Sequence, residues 1–328
     1  MRITALVGAL LLGGCSEAAV QTQADGAVDA LDALDALDAL DALDSAAVDS
    51  AVSEVADGGA CGCVDYTEPV RVGAMPAVLK ETSGLAASRK NAGVLYGHND
   101  SGDSARIFAL DQKGGLLGQL TFGGATAVDW EDIAVGPCAE GSCVFVSDVG
   151  DNAKSRGDYA LYAVAEPSLD GKPFATQTLS AKRFPFSYPD GKWNCETLLV
   201  HPTTGRIYLV TKDDKIDGGV YVFPEKLEPG VSVTLEKVGS ANGTKGSLVT
   251  GGDVSPCGDR VLLRTYGALL EYSIGAGKTV GDALASKPRS VSVAVETQGE
   301  AVAFHADGRG YFTASEGNLA ALSSTACR

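Results

Sequence analysis

Short apolar runs alternate with Gly- and Asp-rich turns throughout residues 61–328, and no convincing amphipathic helix interrupts them. This pattern is typical of an all-β fold. One unit recurs five times: a small or acidic residue, two or three apolar residues, a Gly-bearing turn, and a second strand that ends in polar residues. The copies begin at the following positions: Ser83, Glu131, Glu196, Thr250 and Glu300.

Two further strand-like runs follow each of the first four copies, for example ARIFALD and LGQLTF after the first. Each copy is then a four-stranded meander, which is the sequence signature of a β-propeller blade. The fifth copy continues into NLAALSS but lacks a fourth strand, and the segment PVRVGAMPAVL before the first copy can supply it. The sequence therefore predicts a five-bladed all-β propeller over residues 61–328, closed by an N-terminal strand that leaves no open sheet edge.

The first residues have the pattern of an export signal. Arg2 supplies a positive charge, and the apolar stretch 4–12 is too short to span a bilayer as a permanent helix. It runs into LGGC, which ends at Cys15 and resembles the lipobox of bacterial lipoproteins. The resemblance implies a signal peptide at 1–14, lipidation of Cys15 and anchoring in a membrane, and Ser16 resembles the pattern of lipoproteins sent to the outer membrane. The alternative is an ordinary signal peptide with an incidental Cys.

Residues 15–60 differ in composition from the rest of the chain. They contain DALDALDALDALDALD (Asp29–Asp44), whose period of three makes no single apolar face on a helix. Residues 16–60 hold eleven acidic residues and no Lys or Arg, which predicts a disordered acidic spacer between a membrane and the propeller. The whole chain has a formal net charge of −16 and no basic stripe, so a nucleic-acid partner is not expected.

Eight cysteines occur in a chain that is expected to be exported, where disulfides can form. With Cys15 lipidated, seven remain, so at least one has no partner within the chain. Cys138 and Cys143 flank one hairpin turn and are expected to pair. Strand direction brings Cys327 near Cys61 or Cys63, with Cys257 available to the other one, and Cys195 is the expected odd thiol. Sequence alone does not fix this connectivity, and the scattered histidines at 98, 201 and 305 do not indicate zinc.

The first strand of each blade lines the central channel of a propeller, so the five repeat-equivalent residues should face one axis. This set, called here the ring, consists of Ser83, Glu131, Glu196, Thr250 and Glu300. Three carboxylates with no basic residue nearby would repel one another. Calcium prefers six to eight oxygen ligands in a flexible geometry, so the ring predicts an axial calcium ion. It also accounts for Glu131 within the strand-like segment VDWEDIAV. The alternative is a water-filled channel with solvated acids.

The ring resembles that of the soluble calcium-activated nucleotidases (the apyrase family), and the segment Glu81-Thr82-Ser83-Gly84-Leu85 is similar to the first-blade motif of that family. Bacterial propellers with esterase-like phytase activity have a comparable blade pattern. The resemblance implies five blades around one calcium ion held by the ring, and hydrolysis of nucleotides or phosphate esters. Thr250 departs from the Ser that the family has there, and outside the ring no nucleotide-binding residue matches.

The second strand of each blade ends on the face where the ring begins, so polar side chains gather there. The expected ligand face comprises Asn99, Asp100, Asp103, Asp148, Asp151, Asn152, Asp213, Tyr266 and Glu316. His98 is a candidate general acid or base, and Lys212 and Arg264 are candidates for holding a phosphate ester. The alternative is that the Asp/Gly segments are ordinary turns.

Two functions compete on this evidence. The first is a non-catalytic, monomeric envelope lipoprotein whose propeller face binds a small molecule, a glycan or a protein, with calcium as its cofactor. The second is a calcium-dependent hydrolase of nucleotides or phosphate esters, with His98, Lys212 and Arg264 as the candidate catalytic residues. The sequence shows no catalytic triad or other diagnostic catalytic motif, which favours the first.

Overall fold

The computed structural model describes residues 63–169 and 174–328, which form five β-sheets. The predicted export signal, Cys15, the acidic spacer and Cys61 lie outside the described residues. The first strand, β1, spans Val70–Ala74. Blade 1 follows with β2 (Thr82–Ala87), β3 (Val94–Asn99), β4 (Arg106–Asp111) and β5 (Leu116–Gly123).

In each of the next two blades, the chain forms one additional short strand that pairs with the preceding blade. Blade 2 consists of β6 (Trp130–Cys138), β7 (Gly141–Asp148) and β8 (Ala160–Ala165), then the additional β9 (Gln177–Ser180), then β10 (Lys182–Ser187). Blade 3 consists of β11 (Cys195–Val200), β12 (Ile207–Thr211) and β13 (Gly219–Val222), then the additional β14 (Val233–Thr234), then β15 (Glu236–Ser240).

The last two blades complete the circle. Blade 4 consists of β16 (Val249–Val254), β17 (Arg260–Thr265), β18 (Leu269–Ser273) and, after helix α1 (Val280–Leu284), β19 (Arg289–Val291). Blade 5 consists of β20 (Gly299–Phe304), β21 (Gly310–Ser315) and β22 (Ala321–Ala326), with β1 as its fourth strand. The five first strands, β2, β6, β11, β16 and β20, contact one another in a closed circle.

Closure by the N-terminal strand is confirmed. β1 pairs antiparallel with β22, with Val70 opposite Ser324, and so completes the sheet that the C-terminal strands leave one strand short. A disulfide between Cys63 and Cys327 joins the two ends of the described chain. The prediction of five four-stranded blades is therefore confirmed by the fold.

The cysteines are arranged as follows. Cys138 and Cys143 are bonded across the β6–β7 turn, and the structure selects Cys63 from the two candidates for Cys327. Cys257 is also disulfide-bonded. Among the cysteines that the structure describes, Cys195 is free, and it is buried.

Two features of the fold have no counterpart in the predicted pattern. β9 pairs parallel with β5, and β14 pairs parallel with β10, so the outer edges of blades 1 and 2 are each covered by a short strand. Covering an edge removes unpaired backbone groups that would otherwise recruit another chain. Helix α1 is one turn long, begins with a capping box at Thr279 and Asp282, and buries Val280 and Leu284.

The core lies between neighbouring blades, where apolar side chains of adjacent sheets meet. Between blades 1 and 2, the Trp130 ring packs against Phe122, Tyr162 and His98, with its centroid 5.4 Å from that of Phe122. Between blades 2 and 3, Phe186 packs against Tyr159 and Phe223. In the described part of the chain, no helix is long and apolar enough to cross a membrane.

Candidate cation site

Every ring residue is the additional residue of a β-bulge at the start of a first strand. In blade 2, for example, Trp130 pairs with Asp148 and Asp132 pairs with Ser147, so that Glu131 between them has no partner of its own. The same register shift occurs in the other four blades at the following residues: Ser83, Glu196, Thr250 and Glu300. A bulge turns a side chain away from its usual direction and is common beside functional sites. The five positions are thus structurally equivalent.

The two hydroxyls of the ring join neighbouring blades. Ser83 Oγ donates to the backbone oxygen of Glu131 at 2.5 Å and lies 3.4 Å from Oε2 of the same residue. Thr250 Oγ1 donates to the backbone oxygen of Gly299 at 2.9 Å. Both hydroxyl groups therefore donate hydrogen bonds between neighbouring first strands.

Two of the three ring carboxylates are engaged by nitrogen donors. Lys212 Nζ lies 2.5 Å from Glu196 Oε2, and Asn194 Nδ2 donates to Glu196 Oε1 at 3.2 Å. Gln298 Nε2 donates to Glu300 Oε1 at 3.1 Å. The expectation that no basic residue lies near the ring is therefore wrong. Lys212, which directly follows the second strand of blade 3, contacts the ring at Glu196.

The third ring carboxylate belongs to an acidic group at the mouth of the channel, between blades 1 and 2. Carboxylate oxygens of Asp100, Asp129 and Glu131 all lie within 4.8 Å of one another. Gly150 closes one side: a β-carbon on this residue would come within 2.1 Å of Glu131 Oε1 and 2.4 Å of Asp129 Oδ2. We call these three acids and Gly150 the carboxylate cradle.

The backbone of Asp129 is held firmly in the cradle. Val149 N and Gly150 N both donate to Asp129 O at 3.1 Å. Asp148 accepts from Asp129 N at 3.1 Å and is fixed in turn by Arg156 Nη2 at 2.7 Å. Asp148, predicted as a ligand-face residue, is therefore a supporting residue that positions the cradle.

Burial raises the pKa values of three acids in this region: Glu131, Asp129 and Glu196. Burial, followed by the charges of Glu196, Asp100 and Asp129, raises the pKa of Glu131 well above its ordinary value. Burial and the charge of Asp100 raise the pKa of Asp129 to about 6. Burial raises the pKa of Glu196 to about 7, although Lys212 acts in the opposite direction. A cation in the cradle would relieve this repulsion.

In the presence of chelator, we expect the protein to lose stability as the pH rises, in part because of Glu300. Burial and the charge of Glu196 raise the pKa of Glu300 from 4.5 to about 8 in the folded chain. The folded state therefore binds this proton more tightly, and the stability it contributes is present below pH 4.5 and is lost as the pH passes through about 8. The charged or titratable groups that act with Glu300 are Glu196, Lys212, Glu316, Arg264 and Tyr266.

Urea unfolding across this pH range, with chelator present, measures the effect. The free energy of unfolding of the parent should fall between low and high pH. In Glu300→Gln this fall should be smaller by about 2 kcal/mol. The control Glu225→Gln changes a side chain that is 82% exposed and should leave the pH dependence as it is. Identical curves for both variants and the parent would contradict the role of Glu300.

The other residues of the predicted ligand face are satisfied within the protein. Asp103 pairs with Arg106 at 2.8 Å, and Asp213 pairs with Lys154 at 3.0 Å. The remaining partners are Asp103 for Asn99, Tyr159 for Asp151, Asn194 for Asn152, Lys212 for Tyr266 and Gln298 for Glu316. Only Asp100 of this group enters the carboxylate cradle.

The three candidate catalytic residues are not assembled around one open position. The His98 ring is fully buried, its Nδ1 contacts the backbone oxygen of Asn99 at 2.9 Å, and burial lowers its pKa. Arg264 is also fully buried and pairs with Glu296 at 2.8 Å. Lys212 pairs with the ring residue Glu196, and its side chain is 10% exposed.

Some of the site residues were not predicted from the sequence, although a signal for them exists. Asp129, Asn194 and Gln298 each precede a ring glutamate by two positions. Asn194 and Gln298 contact the glutamate that follows them, and Asp129 shares the cradle with Glu131. Applying the repeat alignment to the residues just before each first strand would have identified them.

The ring as a set does not fit the single axial calcium that the resemblance implies. Its hydroxyls bond to backbone oxygens, and the carboxylates of Glu196 and Glu300 accept from Lys, Asn and Gln nitrogens. The carboxylate cradle does fit a calcium ion, because it offers oxygen atoms only, from three acids, at a site where a single glycine leaves the space.

Comparisons with known proteins concern the fold. No protein-family model matches the chain, and no curated protein matches it. A gluconolactonase from Xanthomonas campestris is 11% identical over 79% of this chain and 89% of its own, at a TM-score of 0.47. An auxiliary nutrient binding protein from Bacteroides thetaiotaomicron is 10% identical over 80% of this chain and 72% of its own, at a TM-score of 0.42. A putative 6-phosphogluconolactonase from Bacteroides uniformis is 14% identical over 74% of this chain and 67% of its own, at a TM-score of 0.36.

Proposed function

We propose that this protein is a cell-envelope lipoprotein whose propeller binds one calcium ion in the carboxylate cradle and uses the surrounding face to bind a ligand. The observation that carries the proposal is the approach of the Asp100, Asp129 and Glu131 oxygens to within 4.8 Å of one another. Glu131 is buried, whereas Asp100 and Asp129 are half-buried, and like charges this close repel one another unless a proton or a cation lies between them.

Calcium suits the cradle better than other common ions. Carboxylate oxygens are hard ligands that Ca²⁺ accepts in variable number, and it completes its shell with water or with oxygens of a ligand. The cradle opens on the face where the second strands end, so a bound ion would meet a carboxylate, hydroxyl or phosphate group of a ligand there. This supports a calcium-dependent binding site for an oxygen-rich small molecule, a glycan or a protein.

The proposal includes the anchoring that the N-terminal sequence predicts. Lipidation at Cys15 would attach the chain to a membrane of the cell envelope, most simply the outer membrane, and the acidic spacer would hold a monomeric propeller away from the anionic surface. The described chain begins at Cys63, on the closing blade, so the spacer would join the propeller at its closure.

The alternative is a calcium-dependent hydrolase of nucleotides or phosphate esters. This function requires an acid or base and cations around the bound ester. His98 and Arg264 are each enclosed in the protein, away from solvent, and Lys212 is paired with Glu196. The geometry therefore supports binding more strongly than catalysis, and a phosphate-release screen with and without chelator would detect the alternative.

We expect calorimetric titration to show one calcium ion per chain in the parent protein. Glu131→Gln and Asp129→Asn should each weaken binding by at least about tenfold, because each removes one charged ligand from a small, mainly carboxylate site. Gly150→Ala should also weaken it, since the new methyl group would enter the cradle.

The matched control is Glu140→Gln. Glu140 lies in the β6–β7 turn, at the other end of the strand pair that carries Glu131, and pairs with Lys182 at the surface. This variant makes the same charge change and should bind calcium as the parent does. Absence of calcium binding in the parent, or equal affinities for Glu131→Gln and Glu140→Gln, would refute the proposed site.

A further inference from the structure

We propose that the ammonium group of Lys212 is the resident cation at the centre of the ring, in the place that the resemblance assigns to a metal ion. Glu196 and Glu300 then accept hydrogen bonds from side chains of the protein and do not bind calcium. This inference concerns blades 3 to 5 and does not depend on the proposed calcium site, which uses Asp100, Asp129 and Glu131 between blades 1 and 2.

The position of Lys212 in the repeat directs it to the ring. It follows Thr211, the last residue of β12, which pairs with Cys195 at the start of β11. In the other blades the corresponding residues are Asp100, Val149, Tyr266 and Glu316. Lys212 is thus the one basic residue in a second circle of five equivalent positions, just above the ring.

The contacts of Lys212 are those of a buried cation with dedicated partners. Its Nζ lies 2.5 Å from Glu196 Oε2, 2.8 Å from the Tyr266 hydroxyl and 4.7 Å from the centroid of the Tyr266 ring. Both members of the Lys212–Glu196 pair are almost enclosed, with side-chain exposures of 10% and 6%. An ammonium group this poorly solvated is stable only with such partners.

The Oε1 atoms of Glu196 and Glu300 also face hydrogen-bond donors. Asn194 Oδ1 accepts from Asp151 N at 2.7 Å, which fixes the amide so that Nδ2 points at Glu196. Gln298 Nε2 lies between two carboxylates, those of Glu300 and Glu316, so it must be the nitrogen of that amide. A metal ion in the ring would need the lone pairs of these carboxylate oxygens. The oxygens use lone pairs to accept from N–H groups instead.

The charge of Lys212 also acts on carboxylates beyond its direct partner. It lowers the pKa of Glu131, Glu300 and Glu316, against the burial that raises the pKa of each of these acids. One ammonium group therefore offsets part of the repulsion among the acids that face the axis, as a bound metal ion would.

The test is calcium titration by calorimetry on the parent and on Lys212→Met. Removing the ammonium group leaves the Glu196 carboxylate without its ion-pair partner and takes one attractive charge away from Glu300, so we expect this variant to bind one more calcium ion per chain than the parent. Lys154→Met is the control, because Lys154 lies on the same face but pairs with Asp213. It should keep the parent's stoichiometry. A folded Lys212→Met variant that gains no ion would overturn the inference.

A second variant decides the matter if Lys212→Met does not fold. Glu196→Gln in the parent background should leave the number of bound calcium ions per chain unchanged, because Glu196 is not a calcium ligand in this account. Loss of an ion in Glu196→Gln would overturn the inference. A parent that binds no calcium would refute the cradle as a calcium site, whereas an ion gained by Lys212→Met would still support the role of Lys212.

Discussion

Asp132→Ala is expected to lower the free energy of unfolding by about 4 kcal/mol, because it removes an acceptor shared by three buried backbone amides that each cost about 1–3 kcal/mol when left unpaired. Asp132 Oδ1 accepts from Ile133 N at 2.9 Å. Its Oδ2 accepts from Leu198 N at 2.9 Å and from Gly252 N at 3.2 Å. One carboxylate therefore joins the first strands of blades 2, 3 and 4.

Urea unfolding of the parent and the variant would measure this loss. Glu225→Ala is the control, since its side chain is 82% exposed and its removal should change the free energy of unfolding by less than about 0.5 kcal/mol. Asp132→Asn should lie between the two, because an amide keeps one acceptor but turns its NH₂ group toward a backbone donor. If Asp132→Ala were as stable as Glu225→Ala, Asp132 would not hold the three blades together.

Asp253 plays the same part between blades 4 and 5. Its Oδ2 accepts from Phe304 N, and its Oδ1 accepts from Val254 N, both at 2.8 Å. Acids along the channel thus have two roles. Asp132 and Asp253 satisfy backbone donors of neighbouring first strands, whereas Asp129 and Glu131 face other carboxylates at the channel mouth. The segment VDWEDIAV contains both kinds: Asp129 lies just before β6, and the strand itself contains Glu131 and Asp132.

The repeat accounts for what could be predicted from the sequence. Five copies in one register imply five equivalent strands, and the bulge at Glu131 and at each of its equivalents shows that the register was correct. Closure by Val70–Ala74 followed from counting strands in the last copy.

The features that were not predicted are those that differ between blades. Lys212 has no basic equivalent in any other blade, so the repeat carries no information about its partner. The edge strand Val233–Thr234 has only two residues and pairs with the preceding blade, which no local pattern specifies. The approach of Asp129 to Asp100 has no signal in the sequence, because it comes from the packing of two blades and not from spacing along the chain.

Removing the closing disulfide is expected to have the other large effect on stability. The bond between Cys63 and Cys327 spans a sequence separation of 264 residues, and a loop of that size should stabilise the fold by about 5 kcal/mol by restricting the unfolded chain. The double variant Cys63→Ser/Cys327→Ser removes the bond without leaving a thiol. Its folded state should persist, because β1 still pairs with β22 and Arg289 still donates to Cys63 O and Val64 O.

The disulfide between Cys138 and Cys143 provides the matched control. Cys138 and Cys143 are separated by five residues, so the double variant Cys138→Ser/Cys143→Ser should lose only about 2 kcal/mol by the same relation. Urea unfolding of both variants under oxidising conditions would measure the difference, and equal losses would contradict a closure that acts through loop length. A large difference would mean that the closing disulfide stabilises the propeller mainly by restricting the unfolded chain, in proportion to the long loop that it closes.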